Sequence, residues 1–502
     1  MIIESLLTAF SQAFTWENLL ACFIGVFIGT IVGVLPGIGP VGAMALLLPF
    51  SYGMDPAAGM IMFAGIYYGS MYGGSTTSIL LNMPGESVSV ITTLDGYQMA
   101  KKGRAGAALS ISAIGSFIAG TLGIVGLMLF APPLAKFALK FAAPEYFAIA
   151  ILGIILLSNL TGGSFSKSFL MVIIGMMLSS IGTDPLSGFN RLTFGIPELT
   201  RGIDMLPIAM GAFGLAEILS TAIAPYKTGK LIKIKAKDLY PKKHEMKRSV
   251  NPIMRGSILG FFVGLIPGPS GVISTLVSYK AEKAISKNPS EFGQGAIEGV
   301  AGPESANNGA TAGSMIPLLA MGLPFNANTA MLLTGLMIHG ITPGPTFITD
   351  YSELFWLVIA SMYIGNVILL VLNLPLVGLF VKLTNVPANI LMPIVTALML
   401  IGAYGVNSSM FDVVLILIFG IVGFALKYFN VSAAPLVIGL VLGTISEEGL
   451  RQGLIMNDGS FIGFLTRPIS GTILIITFVI IIFQIIRVFQ SKGPKINLDK
   501  VV

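Results

Sequence analysis

Charge is scarce in this chain: 10% of its 502 residues are Asp, Glu, Lys or Arg, against 54% apolar. Soluble domains carry about a quarter charged residues. A water-exposed fold of this length could not cover its surface with so few, so lipid must cover much of it. The single cysteine, Cys22, excludes an intramolecular disulfide framework. There are two histidines, His244 and His339, and no HExxH or CxxC pattern, which speaks against a zinc or redox centre. No GxxxxGK[ST] loop is present to cradle the phosphates of ATP. No Lys or Arg occurs in residues 1–100. The N-terminus therefore lacks the basic n-region of a cleaved signal peptide, and the first apolar run is expected to be a retained span. Within the apolar runs there is no pair of aspartates and no Ser–His pair, so an intramembrane enzyme is not expected. Nothing forms a charged ring, which argues against a channel.

What is abundant is long apolar sequence. Residues 19–35, 60–83, 106–130, 354–381 and 468–486 are each near the ~20 residues that span a bilayer as a helix. Residues 146–160, 169–180, 205–224 and 413–426 fit as tilted or bundle-buried spans. The 60 glycines sit largely inside these runs, where small residues let helices approach closely. The net charge of +6 invites a nucleic-acid reading, but residues 226–255 alone hold ten Lys/Arg against two acids. In a membrane protein that is an orientation signal, and no nucleic-acid partner is expected.

The chain repeats itself. Gly29, Gly33, Pro36 and Gly37 fall on Gly260, Gly264, Pro267 and Gly268, and the segment 73–85 resembles 313–324 in the same order. Equivalent loops have opposite basic content. Lys101, Lys102 and Arg104 follow the second motif of the first half, whereas the matching loop 339–353 has none. Lys280, Lys283 and Lys287 follow the first break of the second half, whereas 52–58 has none. Under the positive-inside rule the halves face opposite ways, an inverted-topology repeat of the kind secondary transporters use. The expected fold is an all-α polytopic membrane protein of two such repeats, with broken helices and re-entrant hairpins. Its parts are a first repeat at 1–225, a basic cytoplasmic linker at 226–255, a second repeat at 256–490 and a cytoplasmic tail at 491–502. Six basic residues do not fit this scheme: Lys136, Lys140, Arg191, Arg201, Arg451 and Arg467 are assigned to periplasmic interfaces.

The chemistry is expected at the breaks. Pro36-Gly37-Ile38-Gly39-Pro40 and Pro267-Gly268-Pro269-Ser270-Gly271 interrupt apolar helices, because proline removes a backbone donor and glycine exposes the unwound chain. Opposed half-helix ends present N–H groups to an anion and C=O groups to a cation. Gly37, Gly39, Gly268 and Ser270 are thus candidates for a cation, with Glu86 and Glu304 beside them, although an interface or helix-end role for either carboxylate is equally open. The polar clusters around Gly74, Ser75, Thr76, Thr77 and Asn82, and around Ser305, Asn307, Asn308, Asn326 and Asn328, are candidates for the substrate. Each cluster reads as a short helix, a turn and another short helix. Hydroxyls and amides bind a carboxylate or Na⁺ without burying net charge, which at the membrane centre costs at least ~2.5–3.5 kcal/mol. Asp95 reads as a cytoplasmic loop residue, Asp184 as a turn residue, His339 as structural and 280–298 as an amphipathic helix.

The stretch 33–40, the run from Tyr68 to Gly85, the segment from Asp95 to Ala105, and Pro303-Glu304-Ser305-Ala306-Asn307-Asn308 resemble the large membrane subunit of tripartite tricarboxylate transporters. The resemblance spans about 18–485. It implies a bacterial inner-membrane permease that works with a small four-helix membrane subunit and a periplasmic substrate-binding protein. Uptake of citrate-like carboxylates would be driven by an ion gradient, with no cofactor; the coupling ion is expected to be Na⁺, with H⁺ as the alternative. A stand-alone transporter or exporter of another organic anion is the competing reading. The hairpins and inverted repeat together suggest an elevator-type movement.

Overall fold

The computed structural model describes residues 2–35, 39–82, 84–160, 165–184, 187–223, 240–378, 392, 393, 396, 397, 399–401, 404 and 408–490. Residues 226–239 of the expected linker, the tail 491–502 and Gly37 lie outside these. The described chain is helical, apart from the two-residue strands β1 (Gly182–Thr183) and β2 (Asn190–Arg191), which pair antiparallel.

The first helices are α1 (Ile2–Ala13), α2 (Trp16–Val34), α3 (Gly39–Ser51), α4 (Pro56–Leu81), α5 (Val90–Lys101) and α6 (Ala105–Ala138). They are followed by α7 (Ala143–Leu160), α8 (Phe165–Ser179), α9 (Met205–Ala209), a π-helical segment (Met210–Leu215) and α10 (Ala216–Ile223). The second half runs α11 (Lys243–Gly264), α12 (Ser270–Ile285), α13 (Glu298–Met321), α14 (Ala327–Ile338), α15 (Phe347–Asp350) and α16 (Ser352–Asn373). Beyond these lie α17 (Met410–Tyr428), α18 (Ala434–Met456), α19 (Ile462–Thr466) and α20 (Pro468–Gln490). Four of these helices, α2, α6, α16 and α17, are long and apolar enough to cross a membrane. The protein is an all-α membrane protein.

Two expectations need correction. The segments 73–85 and 313–324 do not each begin with a short helix. Pro56–Leu81 and Glu298–Met321 are continuous helices of 26 and 24 residues, and only the arms after the turns, α5 and α14, are short, at 12 residues each. The glycines and hydroxyls of 73–78 and the prolines at 303 and 317 are tolerated because neighbouring helices bury them on all sides. The segment 280–298 is not one amphipathic helix either: α12 ends at Ile285 and a 3₁₀ turn and loop follow. The end of 226–255 is already helix, from Lys243 onward.

Glycine spacing explains the tightest packing. Gly25, Gly29 and Gly33 line one face of α2, and Gly65, Gly69 and Gly73 line one face of α4. A methyl group on Gly25, Gly29 or Gly33 would overlap the backbone of Met62, Ile66 or Ser70. The second half repeats the device: Gly256, Gly260 and Gly264 of α11 lie against the backbone of Gly302, Ala306 and Ala310 of α13. Small residues every fourth position let two helices meet backbone to backbone, where dispersion supplies the attraction that the hydrophobic effect cannot in lipid.

Two packing groups result. In one, α2 lies on α4, α11 on α13 and α13 on α6, with α16 across α2, α4 and α6. Asn366 of α16 ties this group together. It accepts from the Tyr72 hydroxyl at 2.6 Å and donates to the Phe117 carbonyl at 2.8 Å and to Thr121 at 3.0 Å. In the other group, α18 packs on α7 and α8, α20 on α7, and α17 on the π-helical segment. The groups meet where α3 touches the π-helical segment and α9, and where α14 touches α18 and α9.

Candidate functional site

Each polar turn packs against the described edge of a break. In the second half the chain leaves α11 at Gly264 and re-enters helix at Ser270. Gly268 holds φ +130°, a conformation an L side chain rarely adopts, and its N–H donates to the Phe325 carbonyl at 2.9 Å. The break is thus fastened to the α13–α14 turn. In the first half Gly85, in the α4–α5 turn, sits against the Gly33 carbonyl at the end of α2. Gly39 opens α3 at φ +64°. Ser270 is buried as the first residue of α12.

The turn after α4 starts at Asn82, which ends the helix in the left-handed conformation with its N–H on the Thr77 carbonyl. Its side chain is exposed, so Asn82 is a helix terminator and not part of the interior cluster. Thr77 donates to the Gly74 carbonyl at 3.3 Å, and Thr76 is buried in the same turn of helix. Gly74 faces Ser89 and Glu86. Glu86 precedes a 3₁₀ turn (Ser87–Ser89), lies beside Ser70, and has a buried Oε1 with no hydrogen-bond partner.

In the turn after α13, Asn326 is committed locally. Its Oδ1 accepts from the Thr329 N–H at 2.9 Å and its own N–H donates to the Thr329 hydroxyl at 3.1 Å. This is a capping box, which satisfies α14's first donors and leaves little for a ligand. Asn328 is different: its Oδ1 is buried and unpartnered. On α13, both amide atoms of Asn307 are buried without partners, as are Ser305 Oγ and Asn308 Oδ1. The other end of Asn308 donates to the Glu304 carbonyl at 3.1 Å. A methyl on Gly271, in the first turn of α12, would touch Val88 of the first polar turn and stand 3.7 Å from Asn307 Oδ1. Asn307 therefore faces the place where the α12 N-terminus meets the α4–α5 turn.

Buried polar atoms without partners cost about 1–3 kcal/mol each, and folded proteins keep few of them. Among the described residues, six of the twelve such atoms lie on α13, in the first polar turn or at the start of α14. Sequence reasoning missed Tyr67, whose hydroxyl lies 3.3 Å from Ser314 Oγ with Thr311, Asn326 and Asn328 around it. It sits on the α4 face that also carries Ser70 and Gly74, at helical spacing that the run 67–74 displays. Ser75, expected to face substrate, instead donates to Glu304 of α13. Thr92 of α5 and Ser112 of α6 donate to the same carboxylate, the latter at 3.0 Å. The hydroxyls at 112 and 116, inside an otherwise apolar run, were the signal for this.

Several residues outside the cluster also differ from expectation. Asp95 is not a loop residue: it is fully buried in α5 and accepts from the N–H groups of Gly293, Gly295 and Ala296 at 2.7–2.9 Å and from the Tyr279 hydroxyl at 2.9 Å. Asp184 does lie in a loop, but it also receives the Arg451 guanidinium at 2.8 and 3.0 Å. His339 ends α14 beside Gly59, its Nε2 unpartnered. Four of the basic residues that did not fit the charge pattern are neutralised: Arg191 pairs with Glu447, Arg201 with Asp412, Arg451 with Asp184 and Glu447, and Arg467 with Glu145.

Comparison with known proteins identifies the family. Residues 19–438 match the family described as "Tripartite tricarboxylate transporter TctA family". A relative from Agrobacterium vitis, "Uncharacterized 52.8 kDa protein in TAR-I ttuC' 3'region", is 45% identical over 500 residues, 99% of each chain. A second from the same organism, "Uncharacterized protein in TAR-II ttuC' 3'region", is 44% identical over 240 residues, 48% of this chain and 99% of its own. No solved structure matches the chain. The extent of the match and the near full-length relative place the chain in the tripartite tricarboxylate transporter TctA family.

Proposed function

We propose that this chain is the translocating subunit of a tripartite system in a bacterial inner membrane, taking up citrate-like di- or tricarboxylates by coupling them to an ion gradient. Its partners would be a small four-helix membrane subunit and a periplasmic substrate-binding protein. The observation that carries the substrate assignment is Asn307, whose two amide atoms are both buried without partners beside the first turn of α12. Amide N–H₂ groups and helix-end N–H groups are donors suited to a carboxylate. Glu86 stands close by without a cation of its own among the described residues. A carboxylate substrate and an ionised Glu86 could share the site only with a sodium ion or a proton beside them, which is what ion-coupled uptake supplies.

An inverted repeat is supported by element order. A helix, a break, a short helix, a long glycine-lined helix, a turn and a 12-residue helix occur as α2–α5 and again as α11–α14. The short helices pair crosswise, α3 with α14 and α12 with α5 and the turn before it. Among the described helices of the first group, α3 and α14 are the ones that contact the second, and Leu323 and Phe325 of the turn before α14 pack on it too. The α5–α12 pair adjoins the Lys- and Arg-rich loops, which the positive-inside rule assigns to the cytoplasm. Closure on one side and freedom on the other suits a core that slides against a scaffold.

Reconstitution in liposomes with both partner proteins tests the reading, with Na⁺ and pH gradients varied separately against labelled di- and tricarboxylates. Uptake is expected only with the binding protein and a cation gradient. Equal uptake without the binding protein would favour a stand-alone transporter.

A further inference from the structure

Two buried carboxylates are held in contrasting ways. Asp95 takes three backbone N–H groups and a tyrosine hydroxyl, donors fixed by the fold. Such a set suits a permanent structural anchor. Glu304, 1% exposed in the middle of the first half of α13, has no ion pair and no backbone donor among the described residues. Its partners are three hydroxyls from three different helices: Ser75 on α4, Thr92 on α5 and Ser112 on α6.

A hydroxyl differs from a backbone N–H in that it can turn. With nothing else present it points its proton at the carboxylate. With a cation present it can turn that proton away and offer a lone pair instead. The carboxylate and the three hydroxyls supply five hard oxygens, the donor type that hard cations take. More oxygens continue the column. Ser116 Oγ is one turn along α6 from Ser112, Asn308 Oδ1 is one turn along α13 from Glu304, and Ser305 Oγ follows it directly. All three are fully buried and unpartnered. The helices run in the same sense here, since Gly115 of α6 lies on Ser305 and Gly123 on Ala312. The two rows of oxygens therefore stay side by side.

We propose that Glu304, with the hydroxyls of Ser75, Thr92 and Ser112, is the binding site of the coupling cation, a dehydrated sodium ion. This rests on the ion-coupled reading above and deepens it. The placement gives a route for coupling. Glu304 is three residues before Asn307 on α13, and Thr92 is on the helix that follows the turn carrying Glu86 and Val88. Drawing Thr92 and Glu304 onto one ion sets the distance between that turn and Asn307. The substrate then meets a formed site only after the ion has bound, which makes the two affinities reciprocally dependent.

The test needs no substrate. The thermal unfolding midpoint of the purified chain in detergent is measured against NaCl, with KCl and choline chloride at the same ionic strength as controls. Sodium alone is expected to raise the midpoint in a saturable way, since a ligand that binds only the folded state stabilises it. Thr92→Ala and Ser112→Ala should each raise the half-saturating Na⁺ concentration about tenfold, and Glu304→Gln should abolish the effect. Thr92→Ser, which keeps the hydroxyl, should restore the wild-type curve. If Glu304→Gln fails to fold, the two hydroxyl truncations decide the matter. No sodium-specific rise in the wild type, or wild-type curves in both truncations, overturns the assignment. Sodium stabilisation without carboxylate uptake would uphold this site and sink the substrate reading; proton-driven carboxylate uptake without any sodium response would do the reverse.

Discussion

Among individual residues, the unpartnered amides and the committed ones make opposite predictions. Asn307→Ala removes both donor and acceptor from the centre of the cluster. Loss of a hydrogen bond to a charged group costs about 1.5–3 kcal/mol, so half-saturation for the carboxylate should rise at least about tenfold in reconstituted uptake, with folding intact. Asn326→Ala removes a cap instead. It should lower the unfolding midpoint by an amount worth about 1 kcal/mol and move half-saturation far less. Equal effects of the two on half-saturation would mean that the turn, and not Asn307, holds the substrate. Both asparagines were visible in the sequence as polar residues in an apolar context. Which was a cap could not be read there, because that depends on whether Thr329 Oγ1 returns to the Asn326 N–H. Tyr67 was hidden for the same reason: a tyrosine in an apolar run looks like core until its hydroxyl is seen against Ser314.

The glycine ladders dominate at the level of helices. A leucine at Gly260 would drive its side chain into the backbone at Ala306, where no rotamer can relieve the overlap. Overpacking of side chains costs about 1–3 kcal/mol, and a clash with backbone should exceed that range. Gly260→Leu is expected to abolish accumulation of folded protein in the membrane, whereas the same change at Gly378, which has open space around it, should be tolerated. Ion pairs split in the same way. Arg467→Ala leaves Glu145, which is 1% exposed, with the Ala142 N–H as its remaining partner, and should cost about 1–3 kcal/mol in detergent unfolding. Arg191→Ala leaves a partner that is 30% exposed and should cost under about 1 kcal/mol. Helix existence was legible from the apolar runs, and the spans at 19–35 and 468–486 correspond closely to α2 and α20. Where a helix would stop was not. The polar motif at 73–78 reads as part of a short helix, yet it lies inside the 26 residues of α4, because α2 and the following turn enclose it and shield its backbone from water.

For the whole molecule, the proposed sliding of one packing group on the other can be tested directly. Cysteines placed across the contact between α3 and the π-helical segment, in a Cys22→Ala background, should stop uptake when oxidised and release it when reduced. Full activity of the crosslinked protein would refute sliding of one group on the other. Part of the architecture was legible along the chain. The low charge demanded lipid; the paired motifs and the placement of lysines and arginines are the grounds on which opposed halves are proposed. These are properties of composition and spacing, which survive without coordinates. The broken helices that first marked the breaks as sites were therefore legible as positions. Their partners were not. That Gly268 is fastened to Phe325, that Ser75 turns from substrate to Glu304, and that four misplaced arginines are cancelled by carboxylates far along the chain all depend on contacts between distant segments. Close packing settles such contacts: a backbone approach that only glycine allows selects which helices touch, and the touching helices select which polar groups remain without a partner.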